Sequence, residues 1–203
     1  MESNPQKTMS EKVYIFINGI RTIPGKPENW TDRAVTWMQL MTPYKGRKVE
    51  YFAFALLRWY RQRERAQLLV DMMWSYKDHD ICLVGHSNGA NVISRALKMV
   101  PWSVPSRVKE VHLFSPACKA NFDWNGFNEY MGTKFKVYMA EKDFALKLAS
   151  TRVAKLLGYG NLGRRGPVKV KHGLEVEVVK KPYKHSEWFK PSNMAQTMGK
   201  ILG

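Results

Sequence analysis

The chain has 203 residues, 44% of them apolar and 12% aromatic, which is enough for one domain with a substantial core and too little for two ordinary domains and a linker. These proportions exclude a disordered chain, and no apolar run approaches the length that spans a bilayer, so a soluble protein is expected. With 33 Lys and Arg against 17 Asp and Glu, the formal net charge of +16 keeps a small protein in solution and equally suits steering toward an anionic partner, whether acidic substrate, membrane surface or nucleic acid.

Residues 1–11 carry no apolar core of a secretory signal and read as a flexible arm ahead of a single domain over 12–203, with a cytoplasmic location expected. Cys82 and Cys118, the two cysteines, suit buried free thiols better than a disulfide framework, and no metal-ligand cluster is visible. Lys12 to Ile17 is an apolar, β-branched run that stops at the turn signal Asn18-Gly19, as a buried strand does. A loop with Pro24, Gly25 and Pro27 follows. Trp30-Thr31-Asp32 then opens a helix, with Thr31 as its cap and Ala34, Val35, Trp37, Met38, Leu40 and Met41 as its apolar stripe. Lys48 to Phe54 reads as a second strand. Trp59 to Tyr76 reads as a long amphipathic helix along Ala66, Leu69, Val70, Met73 and Trp74, with Arg61, Arg63 and Arg65 near its start.

Ile81-Cys82-Leu83-Val84 runs into Gly85-His86-Ser87-Asn88-Gly89 and then into Val92 to Leu97, the pattern of a buried strand, a tight turn and a helix. Ser87 stands at the apex of that turn. A serine held there has a strained backbone and needs neighbours without side chains two positions away on either side, so that strand and helix can approach; Gly85 and Gly89 supply them. The N–H groups opening the helix face the same space as the hydroxyl and suit developing negative charge. This is the pattern of an activated nucleophile.

Val108 to Phe114 reads as the next strand. Ser115 to Gly132 is an irregular stretch containing Trp124, Phe127 and Tyr130, and Lys134 to Ala140 is again a strand. Glu141-Lys142-Asp143 lies at its carboxyl end, before a helical Phe144 to Leu148. From Gly158 to Pro182 the chain passes Arg164-Arg165 and alternates over Val168–Lys171 and Leu174–Val179, read as a basic hairpin or edge strand followed by the last strand. His185 lies on the loop after it, and a helix starts at Pro191.

The elbow Gly85-His86-Ser87-Asn88-Gly89, set between strand and helix, resembles the nucleophile elbow of the α/β-hydrolase superfamily, and the chain is similar to its small lipase- and esterase-like serine hydrolases. The resemblance implies an α/β fold with a mostly parallel central sheet, helices on both faces and minimal or no lid. It also implies the order nucleophile, acid, histidine, which falls on Ser87, Asp143 and His185, with Glu141 the nearby competitor for the acid. Of the other histidines, His79, His112 and His172 stand where Ser87 is out of reach, and the side chain of His86 diverges from that of Ser87 within the elbow. Where in the family a strand of the kind read over Lys12–Ile17 ends in His-Gly, this chain has Asn18-Gly19; the matching oxyanion donors are the backbone N–H groups of Ile20 and Asn88. Arg21 is expected near the rim, and Trp124 and Phe127 either line an acyl pocket or pack on the core. The function implied is hydrolysis of a carboxylic ester, a small-molecule or lipid substrate, with no cofactor. The alternatives are a thioesterase or amidase with the same three residues, or a non-catalytic scaffold binding nucleic acid or another anionic partner.

Overall fold

The computed structural model describes residues 11–19, 29–50, 58–101, 104–118, 130, 132–148, 151, 160–167, 170 and 174–203. Among these, six parallel strands form one sheet: β1 (Lys12–Ile17), β2 (Lys45–Val49), β3 (Asp80–His86), β4 (Val108–Phe114), β5 (Lys134–Ala140) and β6 (Glu175–Lys181), in the spatial order β2-β1-β3-β4-β5-β6. The order reverses between β1 and β3, and at such a reversal a crevice opens beyond the carboxyl ends of the strands. Among the described residues, six helices accompany the sheet: α1 (Trp30–Met41), α2 (Arg58–Ser75), α3 (Gly89–Leu97), the short α4 (Phe144–Leu148) and α5 (Leu162–Arg165), and the C-terminal α6 (Pro191–Leu202). This is the α/β-hydrolase fold.

Alternation along the strands explains why their apolar runs are unbroken. In β1, Val13, Ile15 and Ile17 face a core completed by Ala66, Leu69, Val70 and Met73 of α2 and by Ala90, Ile93, Ala96 and Leu97 of α3. Tyr14 and Phe16 face the opposite core, closed by Trp30, Ala34 and Met38 of α1 and by Met194, Met198 and Ile201 of α6. Since successive side chains point to opposite faces, a strand covered on both must be apolar at every position. Both cysteines are buried, and neither is in a disulfide.

Several local expectations are corrected. The second strand is Lys45–Val49 rather than 48–54, of which 51–54 lie outside the described residues; its polar stretch Lys45-Gly46-Arg47-Lys48 is tolerated because β2 is an edge. Asn29, not Thr31, is the N-cap of α1; the Thr31 hydroxyl turns inward and donates to the Glu50 carboxylate. Leu40, Met41 and Trp74, assigned to apolar stripes, are 77%, 65% and 45% exposed. Residues 1–10, 168–169, 171–173 and most of the stretch after β4 lie outside the described residues, so the arm, the first part of the basic hairpin and the question of a lid do too.

Candidate active site

Ser87 closes β3 and opens α3 with a φ of 56°. The turn is tight enough that a Cβ on Gly85 would lie 2.6 Å from Ile93 Cδ1, and one on Gly89 would lie 2.5 Å from the Ile17 carbonyl oxygen and 2.7 Å from that of Asn18. Ser87 N–H donates to the Phe114 carbonyl at 2.9 Å, and the Ser87 carbonyl accepts from Ala117 N–H at 3.0 Å, so backbone partners on the β4 side hold the apex at both ends. Forced positive φ in a serine costs of order 1–3 kcal/mol and persists only where the surroundings over-determine it, as these contacts do.

The hydroxyl meets two residues from distant parts of the chain. Ser87 Oγ lies 2.8 Å from His185 Nε2, and His185 Nδ1 lies 2.6 Å from Asp143 Oδ2. A carboxylate only accepts, so Nδ1 carries the proton, and the neutral ring then presents Nε2 as acceptor to the serine O–H. The Asp143 side chain is fully buried, and its other oxygen accepts Leu146 N–H at 2.8 Å at the start of α4. His185 stays partly open, its side chain 22% exposed. Asp143 therefore sits behind the histidine, shielded from water, with the His185 ring between it and the serine. Glu141, the competing acid, is exposed on the turn.

Asn18-Gly19 follows β1 directly over the elbow. A Cβ on Gly19 would stand 3.0 Å from Ser87 Cβ and 3.4 Å from its Oγ, so that loop approaches the hydroxyl with bare backbone. Asn88, expected as an oxyanion donor, opens α3 with its side chain fully buried. Its Oδ1 accepts from Gln62 Nε2 at 2.8 Å and from Asn91 Nδ2 at 2.9 Å. Gln62 was missed in the sequence, although it occupies the same stripe as Ala66, Leu69 and Met73 of α2; a polar residue on an apolar stripe is the signal that could have found it. Ile20, Arg21, Trp124 and Phe127 lie outside the described residues. Arg164 and Arg165 are exposed on α5, whose segment is stitched to the loop beside the elbow by Gly160 N–H to Ala117, Leu162 N–H to Cys118 and Gly163 N–H to Pro116.

His86 is buried beside the row. Burial, and after it the neighbouring His185, push its pKa down to about 3. Burial likewise lowers that of His112, outweighing the Glu110 carboxylate bonded to it at 3.0 Å. A histidine whose folded pKa lies below its unfolded value binds protons more readily once unfolded. The stability it contributes is full above about pH 6.5 and is lost as pH falls below that, by up to about 1.4 kcal/mol per unit for each group. Urea unfolding should therefore give a distinctly lower stability at about pH 5 than at about pH 7, before the carboxylates titrate. Equal stabilities would show that these rings are not held neutral.

No family model matches the chain, and no curated protein matches it. Solved structures do share its fold. An uncharacterized protein from Bacillus cereus superimposes with a TM-score of 0.56 at 14% identity over 100% of this chain, which spans 61% of that protein's length. A predicted CIB-like hydrolase from Thermoplasma acidophilum gives 0.55 at 12% identity, with 97% of this chain and 87% of that one covered. An alpha-beta serine hydrolase homologue from Coxiella burnetii gives 0.51 at 12% identity, with 97% and 86% covered. Among the described residues, no group of His, Cys, Asp and Glu side chains could hold a metal ion, and no helix is long and apolar enough to cross a membrane.

Proposed function

We propose that the chain is a serine hydrolase that cleaves a carboxylic ester through an acyl-enzyme on Ser87. The observation that carries this is the hydrogen-bonded row Ser87–His185–Asp143, built on a strained elbow at the carboxyl ends of a parallel sheet. His185 Nε2 takes the hydroxyl proton as Oγ bonds to the ester carbon. Asp143 holds the tautomer and stabilises the imidazolium. The oxyanion that forms is assigned to the Asn88 N–H at the start of α3, a kind of donor worth a few kcal/mol in such reactions. Collapse breaks the bond to the alkoxide, which leaves with the His185 proton. Water, deprotonated by the same nitrogen, then releases the acid and returns the proton to Ser87. The hydrolases among the structural neighbours support the reading at the level of the fold.

A fluorophosphonate probe tests it. The folded protein is expected to become covalently labelled, and Ser87→Ala to show no labelling at an unchanged melting temperature. Folded protein that stays unlabelled would overturn the reading and favour a binding scaffold.

A further inference from the structure

We propose that His86 is a positioning residue for His185: its Nε2–H grips the His185 main-chain carbonyl and fixes where the base stands over Ser87. The inference rests on the reading of His185 as the base, and it concerns a side chain that takes no part in the proton transfers themselves.

His86 Nε2 lies 2.9 Å from the His185 carbonyl oxygen. A carbonyl only accepts, so the proton is on Nε2 and the ring donates. Three links then close a small ring: the peptide bond from His86 to Ser87, the contact from Ser87 Oγ to His185 Nε2, and the return bond from the His185 carbonyl to His86. The sequence separates these partners by 98 and 99 residues, and nothing covalent fixes their relative position.

The gripping ring is itself held. Trp30 and Phe189 meet it edge-on, with centroids at 6.1 and 5.7 Å and interplanar angles of 77° and 81°, and the His185 ring tilts against it at 4.9 Å. Only 8% of His86 is exposed. The charged or titratable groups that act on it are His185 and Asp143, and burial keeps it neutral through the working range, so Nε2–H stays a donor to a neutral acceptor. The turn that carries His185 is pinned at its other end as well, where Lys184 N–H donates to the Glu187 carboxylate at 2.6 Å. Without the His86 bond, the His185 main chain would be held only from the Lys184 side, by that contact and by Glu187 N–H to the Lys184 carbonyl at 3.1 Å, leaving Asp143 to orient a ring whose backbone is less firmly placed.

The test compares His86→Phe, which keeps a ring against the stacked Trp30 and Phe189 but has no donor, with His86→Gln, whose amide N–H reaches about as far from the main chain. Displacement of a reacting group by about 1 Å costs on the order of 10²-fold, so kcat on a p-nitrophenyl ester should fall roughly 10- to 100-fold in the Phe variant with KM little changed. The Gln variant should recover most of that loss. A Phe variant with near wild-type kcat, or a folded Gln variant as slow as the Phe one, would overturn the proposal. A readout independent of turnover is the downfield ¹H resonance of the proton between His185 Nδ1 and Asp143, expected to shift or broaden in the Phe variant and return in the Gln variant. An unmoved resonance would overturn the proposal even in a protein that the fluorophosphonate probe fails to label, so the two readings can fail separately. His86→Leu, smaller and equally donor-free, serves if the Phe ring does not fold.

Discussion

Asp143→Asn is expected to lower kcat/KM by about 10⁴-fold while leaving a folded protein, because the amide forces the wrong tautomer on His185. The structure gives a specific reason why the amide cannot adapt. Asp143 spends its two oxygens on two donors, Leu146 N–H at 2.8 Å and His185 Nδ1–H at 2.6 Å. An asparagine has one oxygen and one NH₂ group. Turning the NH₂ toward Leu146 opposes donor to donor in a fully buried place, so the oxygen goes to Leu146 and the NH₂ faces His185. Nδ1 must then accept, the ring proton moves to Nε2, and Ser87 meets a donor where it needs a base. Glu141→Gln, on the exposed side of the same turn, should change kcat/KM by no more than about two-fold. Steady-state rates on one ester decide the matter: a reversed pair of effects would make Glu141 the acid, and an Asp143→Asn loss under about ten-fold would remove the acid's role altogether.

Legibility in the sequence followed the physics of each element. The strands Lys12–Ile17, Val108–Phe114 and Lys134–Ala140 are read with the bounds that the structure gives them, since their carboxyl halves are buried on both faces and largely apolar and their ends are marked by turns. The edge strand Lys45–Val49 has no such mark, and the aromatic run just after it drew the assignment forward. Exposed Leu40 and Trp74 lie on helices whose periodicity predicts a stripe but not where its cover ends. The elbow was legible because two glycines and a serine at fixed spacing have few other uses. The contacts made to Asn88 by Gln62 and to His185 by His86 were not, because each depends on which helix or loop lies across the sheet. Charge was legible as a sum but not as a distribution: Lys45 and Lys48 pair with Glu11, Asp32 and Glu50, whereas Arg164 and Arg165 are exposed on the segment beside the elbow.

The second large effect is expected from a single methyl group. Gly89→Ala puts Cβ 2.5 Å from the Ile17 carbonyl oxygen and 2.7 Å from that of Asn18. Both are main-chain atoms at the carboxyl end of β1, and β1 is paired on both sides, to β2 and β3, so it cannot yield. The start of α3 must move instead, taking with it Ser87 and Asn88, the two residues just before Gly89. Overpacking of this kind costs about 1–3 kcal/mol of stability, and an elbow moved by about 1 Å from the His185 row costs on the order of 10²-fold in rate. A control separates this from any general effect of alanine: a Cβ on Gly199, in α6, meets nothing within 4 Å, so Gly199→Ala should leave the rate alone and raise stability by up to about 1 kcal/mol through helix propensity. Gly19→Ala gives the same test from the opposite side, since its Cβ would stand 3.0 Å from Ser87 Cβ and 3.4 Å from Oγ. Labelling rates with the fluorophosphonate probe, read beside urea unfolding, check all three. If Gly89→Ala labels as fast as the unchanged protein, α3 can move without carrying the serine out of line, and the close approach of β1 to the elbow is not what aligns Ser87 with His185.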